Sequence, residues 1–435
     1  MKLLNLTRLF LVLAVIAGVA FMPGSGSVRT VQADVPVTGI ACTTNPSATF
    51  TFTSKDGFIQ LPDGNTVYMW GYSLGDQNFQ HPGPVLCVNQ GDTVTIVLHN
   101  TLPVDISLTF PGQEGVLANG DLSQPQFGGG GELLSLAQVA TAGGGTVTYS
   151  FVAGEPGTYY YASGTDPEMQ VQMGLFGALI VRPSGQPGWA YNDPTSQFNP
   201  DTEFLMLLSE IDPLLHSAVF SQVQAAQPVS YDMTQYRARY WMVNGRSFPD
   251  TIAPNGASWL PAQPYSALAR IHPYDASTNP LPALERYIGI GPVEYPFHPH
   301  GFNGRIIARD GNVLRGPVGN QDQSYEKFSI PVGPGQTFDS IFTWTDVNLY
   351  DQTNNPVPVT IPGEQNLTYG QYFSGSPYLG TSEALPPGNT SYVQCGEYYH
   401  VAHNHALSTI TAWGMTMSGM MTYTRIDPPL PNNCP

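Results

Sequence analysis

The sequence predicts an all-β protein built from sandwich or barrel units. Glycine and proline, which favour turns, number 46 and 40 among 435 residues. The chain also has 23 tyrosines, 20 phenylalanines and many β-branched residues, all of which favour strands. Short apolar stretches of alternating polarity recur between turn signals, and this spacing is typical of β-sandwiches and β-barrels.

The first half of the chain contains closely spaced strand signals. The clearest is Pro84–Asn100, where a strand, a Gln90-Gly91-Asp92 turn and a strand of alternating polarity follow one another. In order, the predicted strands are Ala48–Thr53, Thr66–Tyr72, the two within Pro84–Asn100, Gly145–Val152, Gly157–Ala162 and Gly177–Pro183. The residues that follow, to about Asp201, are rich in proline, glycine and asparagine and indicate a linker.

The second half repeats the pattern of short strands. One helix is predicted, over about Leu214–Ala226. Residues of about 350–394 are rich in Pro, Gly, Asn and Thr, and they predict a long inserted loop. The predicted strands are Glu203–Glu210, Tyr240–Asn244, Ala267–His272, Arg286–Ile290, Gly304–Ala308, Phe338–Trp344 and two or three pieces within Glu397–Met421.

The start of the chain resembles an export signal. Lys2 and Arg8 precede an apolar run from about Leu9 to Phe21, and small residues end at Ala33, which predicts a signal peptide over residues 1–33. The run is short for a membrane-spanning helix, and an uncleaved N-terminal anchor stays open as the alternative. We therefore expect a secreted, extracellular or cell-surface protein without a membrane span in its mature chain.

The mature chain is long enough for two domains. We predict domain 1 over residues 34–185, a linker over 186–201 and domain 2 over 202–435. Removal of residues 1–33 takes away three basic residues and no acid, so the net charge falls from −17 to −20. A chain this acidic has no electrostatic basis for binding nucleic acid.

Four cysteines are present: Cys42, Cys87, Cys395 and Cys434. An even number in an exported chain predicts two disulfides. Three pairings are open, and we favour Cys42–Cys87 with Cys395–Cys434 because each closes within its own half of the chain.

Two His-x-His pairs carry the strongest functional signal. They are His298-Pro299-His300 and His403-Asn404-His405, about 100 residues apart, each on a strand-like segment. Residues i and i+2 of a strand point to the same face, roughly 6.6 Å apart, so each pair can aim two imidazoles at one metal or at two neighbouring metals. Imidazole suits Cu, Zn, Fe and Ni, with the highest affinity at copper. We predict a metal site formed by His298, His300, His403 and His405, against the alternative of hydrogen-bonded core histidines.

Other candidate ligands are interpreted as structural. The methionines that follow the second pair are interpreted as core side chains, with Cu(I) ligation as the alternative: Met415, Met417, Met420 and Met421. Four more histidines have no partner at ligand spacing and are interpreted as turn or surface residues: His81, His99, His216 and His272.

Other side chains could support the metal site from outside. Candidates to orient the imidazoles are the hydroxyls of Tyr295, Tyr398 and Tyr399 and the carboxylate of Glu397, and His400 is a candidate outer ligand.

Several stretches together resemble the multicopper oxidase family, and more closely its two-domain, laccase-like members, over nearly all of the mature chain. They are Pro82–Val94, Gly174–Val181, Tyr295–Gly301, and His403-Asn404-His405 with Gly419-Met420. The resemblance implies two cupredoxin-like Greek-key β-sandwich domains. It also implies that the two His-x-His pairs are the domain 2 half of a three-copper cluster. In the family His298 would face the type 2 position and the other three histidines the type 3 pair.

The chain departs from the family at the remaining copper ligands. Where domain 1 would carry its two His-x-His motifs, it has Thr109-Phe110-Pro111-Gly112 and Tyr161-Ala162-Ser163-Gly164. The type 1 copper ligands are also replaced, with Asn404 at the cysteine position and Tyr295 and roughly Thr409 at the histidine positions. Neither Asn nor Tyr provides the thiolate and imidazole set of a blue-copper site.

Two functions remain open. One is a copper-dependent oxidoreductase with a four-histidine mono- or dicopper site, which is not an ordinary laccase because it lacks the type 1 relay. The other is a non-catalytic cell-surface or assembly-forming protein. Copper is the predicted metal, with zinc as the alternative, and the small-molecule substrate is not identified. A homotrimer is implied by the resemblance alone.

Overall fold

The computed structural model describes residues 37–347 and 398–429, with the side chain of Tyr398 left out. The predicted signal peptide, the predicted loop of about 350–394, and Cys395 and Cys434 lie outside these residues. Within the described residues no helix is long and apolar enough to cross a membrane.

Two sheets form the first half of the described chain. A six-stranded sheet has the order β2-β1-β4-β9-β5-β6, a three-stranded sheet has the order β10-β11-β3, and β7 pairs with β8. The strands are β1 (Thr49–Gln60), β2 (Thr66–Leu74), β3 (Leu86–Asn89), β4 (Thr93–Asn100), β5 (Leu117–Ala118), β6 (Asp121–Leu122), β7 (Gln126–Phe127), β8 (Leu133–Ser135), β9 (Thr146–Val152), β10 (Gly157–Ala162) and β11 (Phe176–Arg182).

Two larger sheets form the second half. The first has the order β13-β12-β15-β21-β17-β18, with β19 also paired to β17, and the second has the order β14-β23-β22-β16-β20. The strands are β12 (Glu203–Ile211), β13 (Tyr240–Val243), β14 (Ala269–Ile271), β15 (Ala283–Gly289), β16 (Tyr295–Pro299), β17 (Gly304–Arg309), β18 (Asn312–Val313), β19 (Tyr325–Lys327), β20 (Ile330–Val332), β21 (Thr337–Phe342), β22 (Tyr398–Asn404) and β23 (Met421–Ile426).

Helices are short and few in the described residues. The single turn α1 (Pro167–Gln170) precedes β11, and α2 (Pro213–Gln224) follows β12. The side chain of Asp212 accepts a hydrogen bond from Leu214 N and so caps α2, which has Pro213 in its first turn. The predicted helix is confirmed. The 3-10 turns are Pro194–Ser196, Pro200–Thr202, Met233–Gln235, Asp250–Ile252 and Leu407–Ile410.

Each half buries its core between its own two sheets. In the first half, Phe52 and Tyr72 of one sheet pack with Leu86 and Leu179 of the other. Along β4, buried and more exposed residues alternate, as expected of a strand with one face on a core. The predicted all-β class is confirmed.

A further apolar layer joins the two halves. Ile180 of β11 packs in one cluster with Leu205 of β12 and Ile288 of β15. β11 is therefore buried on both faces, which explains why its sequence is continuously apolar rather than alternating. Cys42 and Cys87 form a disulfide in the first half, as predicted.

Candidate metal centre

The pairing of two strands brings the predicted histidines together. β16 runs antiparallel to β22, with His298 directly opposite His403. His300 and His405 lie just past the ends of these strands and are tied to the opposite strand, since His300 N donates to Val401 O at 2.8 Å and His405 N donates to Pro296 O at 2.7 Å. Two pairs that are distant in sequence thus form one cluster.

Strand alternation puts all four rings on the outer face of the sheet. Tyr295 and Phe297 of β16 and Ala402 of β22 point inward and are fully buried. The residues that alternate with these along the two strands, among them His298 and His403, therefore point outward. His298 and His403 are half-buried, and His300 and His405 are exposed, so the cluster is open to solvent in the described part of the chain.

The four imidazoles lie close to one another. Ring centroids of His298 are 4.6 Å from His300, 5.6 Å from His403 and 5.1 Å from His405. The centroid of His403 is 5.2 Å from His300 and 5.6 Å from His405. The shortest polar contact among them joins the Nε2 atoms of His300 and His403 at 3.2 Å.

Backbone carbonyls fix the tautomers of two rings. His403 Nδ1 lies 2.9 Å from Asn404 O, and His298 Nδ1 is hydrogen-bonded to Phe328 O. A carbonyl only accepts, so in both rings Nδ1 carries a proton and donates it. The Nε2 lone pairs are therefore available, and metal-binding histidines use this same arrangement. These carbonyls take the role that we predicted for side chains such as the Tyr295 hydroxyl.

The surroundings favour the neutral form of three rings, His300, His403 and His400. Burial, followed by the neighbouring imidazoles, lowers the pKa of His300 to about 4. Burial also lowers the pKa of His403 and of His400 below the usual histidine range. Neutral imidazole is the form that binds metals, so His300 and His403 are held in the form that a metal ligand needs.

A glycine lets the chain pass over His400, the predicted outer ligand. Gly301 follows His300 with φ of +85°, and a Cβ there would meet the His400 ring at 2.7 Å. Only glycine adopts this conformation freely and leaves this space. Nε2 of His400 is buried and has no hydrogen-bond partner among the described residues. The His400 ring is thus held against Gly301, the residue after His300, and its role as an outer ligand stays a prediction.

The donor set fits a metal held by two imidazoles better than one held by four. In residues 37–347 and 398–429, no three His, Cys, Asp or Glu side chains are arranged to hold one metal ion as they stand. The His300 and His403 Nε2 atoms, however, have a separation close to that of two nitrogens bound to one metal at ~2.0–2.1 Å. His298 and His405 would complete the coordination only after their rings turn.

The two domain 1 segments that lack histidines also meet. Thr109 forms a bridge with Ala162, and Ser163 Oγ donates to Gln170 Oε1 at 2.6 Å. The Tyr161 hydroxyl is buried and donates to Pro84 O at 2.7 Å. In this protein the side chains of the two segments form hydrogen bonds within the protein. They offer no imidazole at the positions where a family member would carry copper-binding histidines.

The position implied for type 1 copper is filled by hydrogen-bonded side chains. The Tyr295 hydroxyl donates to the buried carboxyl group of Glu210, and burial raises the pKa of Glu210 to about 8. Asn404 Nδ2 lies 3.5 Å from Met420 Sδ, and Thr409 Oγ1 donates to Ala406 O at 2.7 Å. No pattern in the sequence indicated that Glu210 would lie at this position.

The interpretation of His216 as a turn or surface residue is wrong, because it lies in a helix and is only 1% exposed. His81 lies in a bend, but it is also only 1% exposed and so is not a surface residue. His216 lies on α2 beside the buried Leu215 and one turn from the buried Val219. The helical spacing of these apolar residues was the signal for its burial. His99 is exposed, as expected, and His272 is half-buried.

Comparison with known proteins agrees with this architecture. Residues 60–186 match the family described as multicopper oxidase. An L-ascorbate oxidase of Cucurbita maxima is 33% identical over 332 residues, which cover 71% of this chain and 49% of that enzyme. The chain thus spans about half, or less, of the length of the first curated relatives it matches.

Solved structures show the same fold. The multicopper oxidase mgLAC superposes with a TM-score of 0.55 at 19% identity, over 87% of this chain and 86% of its own. A blue copper oxidase from Nitrosomonas europaea gives 0.54 at 18% identity, over 87% and 85%. With this fold, the clustered His-x-His pairs and these matches, the chain belongs to the multicopper oxidase family.

Proposed function

We propose that this protein binds copper through His298, His300, His403 and His405 and acts as a copper-dependent oxidoreductase without an internal type 1 relay. One observation carries the proposal: the Nε2 atoms of His300 and His403 are 3.2 Å apart, with Nδ1 of His403 tied to a carbonyl. The Nε2 lone pair of His403 can then serve a metal, and His300 Nε2 becomes a second ligand of the same ion when its proton moves to Nδ1. Copper is favoured over zinc because imidazole ligands bind it more strongly and because the family uses it.

Each histidine has a distinct part in this site. His300 and His403 would hold the metal, and His298 and His405 would complete its coordination from either side. The bound copper would supply one-electron redox chemistry. His300 and His405 are exposed, so a small molecule can reach the ligands directly from solvent.

Two exposed apolar side chains form part of the rim of the open face. The Phe328 ring is 64% exposed and packs edge-on against His298 at a centroid distance of 5.7 Å. Leu407, two residues after His405, is 58% exposed. Such a rim favours a substrate with an apolar or aromatic part, which would dock beside the ligands rather than at a separate relay.

We also propose that the protein is exported from the cell. The Cys42–Cys87 disulfide favours an oxidising compartment, which agrees with the leader-like residues 1–33. We further propose that a homotrimer or surface assembly, if formed, does not depend on shared copper, because the domain 1 segments that would face a neighbour's copper carry no imidazole.

The deciding experiment measures copper and zinc per chain in the purified exported protein. We expect one or two coppers per chain, lost in His298→Ala/His403→Ala and retained in the control variant His99→Ala, whose ring is exposed and distant in sequence. No metal in the wild type, or equal metal in the double variant, would overturn the proposal.

An activity assay then distinguishes the proposed oxidoreductase from the non-catalytic alternative. The copper-loaded wild type is assayed with phenols and with reduced metal ions while oxygen consumption is followed. Oxidation that is lost in the His298→Ala/His403→Ala variant supports an oxidoreductase. Bound copper without oxidation of any of these substrates would instead favour the non-catalytic alternative.

A further inference from the structure

An open cavity lies where the predicted linker meets the two halves of the protein, and its volume is about 350 Å³. The first half contributes Asn89 and Arg182, at the ends of β3 and β11, and the second half contributes Glu203, at the start of β12. The other lining residues belong to the segment 183–200. Small-molecule pockets typically have volumes of ~300–1,000 Å³, so the cavity is large enough for a small organic ligand.

Hydrogen bonds hold the linker in place, so the cavity is present before any ligand binds. Asp193 accepts two hydrogen bonds from Arg315, one from Nη2 and one from Nε, each at 2.6 Å. Phe198 N donates to Gly188 O at 2.8 Å and so joins the two arms of the linker. Trp189 follows Gly188 directly, and its backbone is fixed by this pairing. A ligand would therefore not need to order this segment on binding.

The linker side of the cavity is lined by flat apolar side chains. They are Pro183, Pro187, Trp189, Phe198 and Pro200. Trp189 is half-buried, and among the described residues its ring stacks on no other aromatic ring. Because an indole packs favourably against another planar ring, this lining favours a ligand with an aromatic part.

Arg182 has hydrogen-bond donors that no protein group uses. Its side chain is 29% exposed. Its side-chain hydrogen bonds, to Glu203 Oε2 at 2.6 Å and to Cys42 Sγ at 3.4 Å, both come from Nη2. In the described part of the chain Nε and Nη1 have no partner, and neither is a buried atom. The N–H groups on these two nitrogens are therefore available to an acceptor from solvent.

The charged group that a ligand would meet in the cavity is the guanidinium. Among the described residues that line it, Arg182 is the one cation and Glu203 the one anion. Both carboxylate oxygens of Glu203 are already engaged, since Oε1 accepts from Arg286 Nε at 2.6 Å, and this side chain is only 3% exposed. A carboxylate is the acceptor that a guanidinium binds best, because it is planar and negatively charged.

We propose that this cavity binds a small aromatic carboxylate, whose carboxylate group accepts hydrogen bonds from Arg182 and whose ring packs against Trp189. The site is separate from the histidine cluster, because none of the described lining residues lies on β16 or β22. A bound ligand would contact both halves of the protein and the linker, and it would stabilise the folded state by mass action. This proposal does not depend on the proposed function.

The test uses protein from which metal has been removed with a chelator, so that a carboxylate cannot bind copper. Isothermal titration calorimetry compares 2-naphthoate with 2-naphthamide, which has nearly the same shape and no charge. We expect one 2-naphthoate per chain, with a Kd on the order of 1 mM or below, as is usual for ligands of this size. Binding of 2-naphthamide should be at least about tenfold weaker.

Two variants test the proposed contacts. Trp189→Ala should weaken the binding of 2-naphthoate at least about tenfold. The matched control is Trp259→Ala, because Trp259 is 56% exposed and does not line the cavity. Arg182→Gln should lower the affinity for 2-naphthoate to that for 2-naphthamide and leave the affinity for 2-naphthamide unchanged.

Absence of 2-naphthoate binding, or equal affinity for 2-naphthamide, would overturn the proposal, and so would an unchanged affinity in Trp189→Ala. The variant His298→Ala/His403→Ala should bind 2-naphthoate as the wild type does. A loss of binding in that variant would instead place the ligand at the histidine cluster and overturn the proposal. Should Arg182→Gln fail to fold, the 2-naphthamide comparison and Trp189→Ala still decide, because neither changes the ion pair of Arg182 with Glu203.

Discussion

Arg286 Nε donates to Glu203 Oε1 at 2.6 Å, and both side chains are buried between the two halves of the protein. Arg286 Nη1 also donates to Thr158 Oγ1 of β10 at 2.9 Å. Asp339 approaches the same guanidinium at 3.5 Å. A charge on β15 of the second half is therefore bound to a strand of the first half, within a network that also includes the hydrogen bond from Thr158 Oγ1 to Asp339.

Removal of this guanidinium should be strongly destabilising. We expect Arg286→Ala to lower the free energy of unfolding by about 3–5 kcal/mol, because the buried Asp339 would lose its cationic partner and the buried Glu203 would keep only Arg182. Urea denaturation followed by circular dichroism measures the change. The control is Arg309→Ala, whose ion pair with Asp310 at 3.2 Å is about half exposed and should contribute less than ~1 kcal/mol. Equal effects of the two changes would contradict this view of the network.

Glu210 should make stability depend on pH. Burial raises its pKa to about 8, so the folded state holds a proton that the unfolded state releases near its ordinary pKa of 4.5. Its contribution is therefore complete below pH 4.5 and is lost as the pH rises through 8. In Glu210→Gln the amide oxygen still accepts from Tyr295. We expect its free energy of unfolding, relative to the wild type, to increase between pH 5 and 8 by up to ~1.4 kcal/mol per pH unit. A difference that stays constant over this range would refute the assignment.

The features that the sequence predicted are those set by neighbouring residues. Alternation along Thr93–Asn100 is visible locally, because one face of a strand meets the core and the other does not. The same two-residue period put each His-x-His pair on one face. Asp212 and Pro213 mark the start of α2 in the same local way.

The features that the sequence did not predict depend on contacts between distant residues. That His298 lies opposite His403 follows from the pairing of strands far apart in the chain. The contact of Tyr295 with Glu210, 85 residues away, is equally invisible locally. Short strands such as β5 and β6 were missed because two residues carry no periodicity. The burial of His81 arises from packing against Gly174, which no local pattern indicates.

The Cys42–Cys87 disulfide should contribute substantially to stability. It closes a loop with a sequence separation of 45 residues. Loop-closure entropy for this length corresponds to about 4 kcal/mol. We expect the Cys42→Ala/Cys87→Ala variant to lose roughly this free energy of unfolding, with a lower urea midpoint and a steeper slope, because the unfolded chain without the cross-link exposes more surface. A loss below ~1 kcal/mol would show that the unfolded state or strain in the folded state offsets the constraint.

Copper bound to this protein should give no intense blue absorption. The type 1 cysteine position holds Asn404, which is buried with its Nδ2 3.5 Å from Met420 Sδ, and the Tyr295 hydroxyl is engaged by Glu210. A blue-copper site needs a thiolate with two imidazoles, and this pocket has neither. The visible spectrum of the copper-loaded wild type is therefore expected to show only weak bands, and Asn404→Cys alone should not change this.

The triple change Asn404→Cys/Tyr295→His/Thr409→His is the control, because it supplies the full ligand set. A strong blue band in that variant would show that the wild type lacks only the ligand side chains of a type 1 copper site. An intense blue band in the wild type would mean that a cysteine thiolate binds copper elsewhere in the chain.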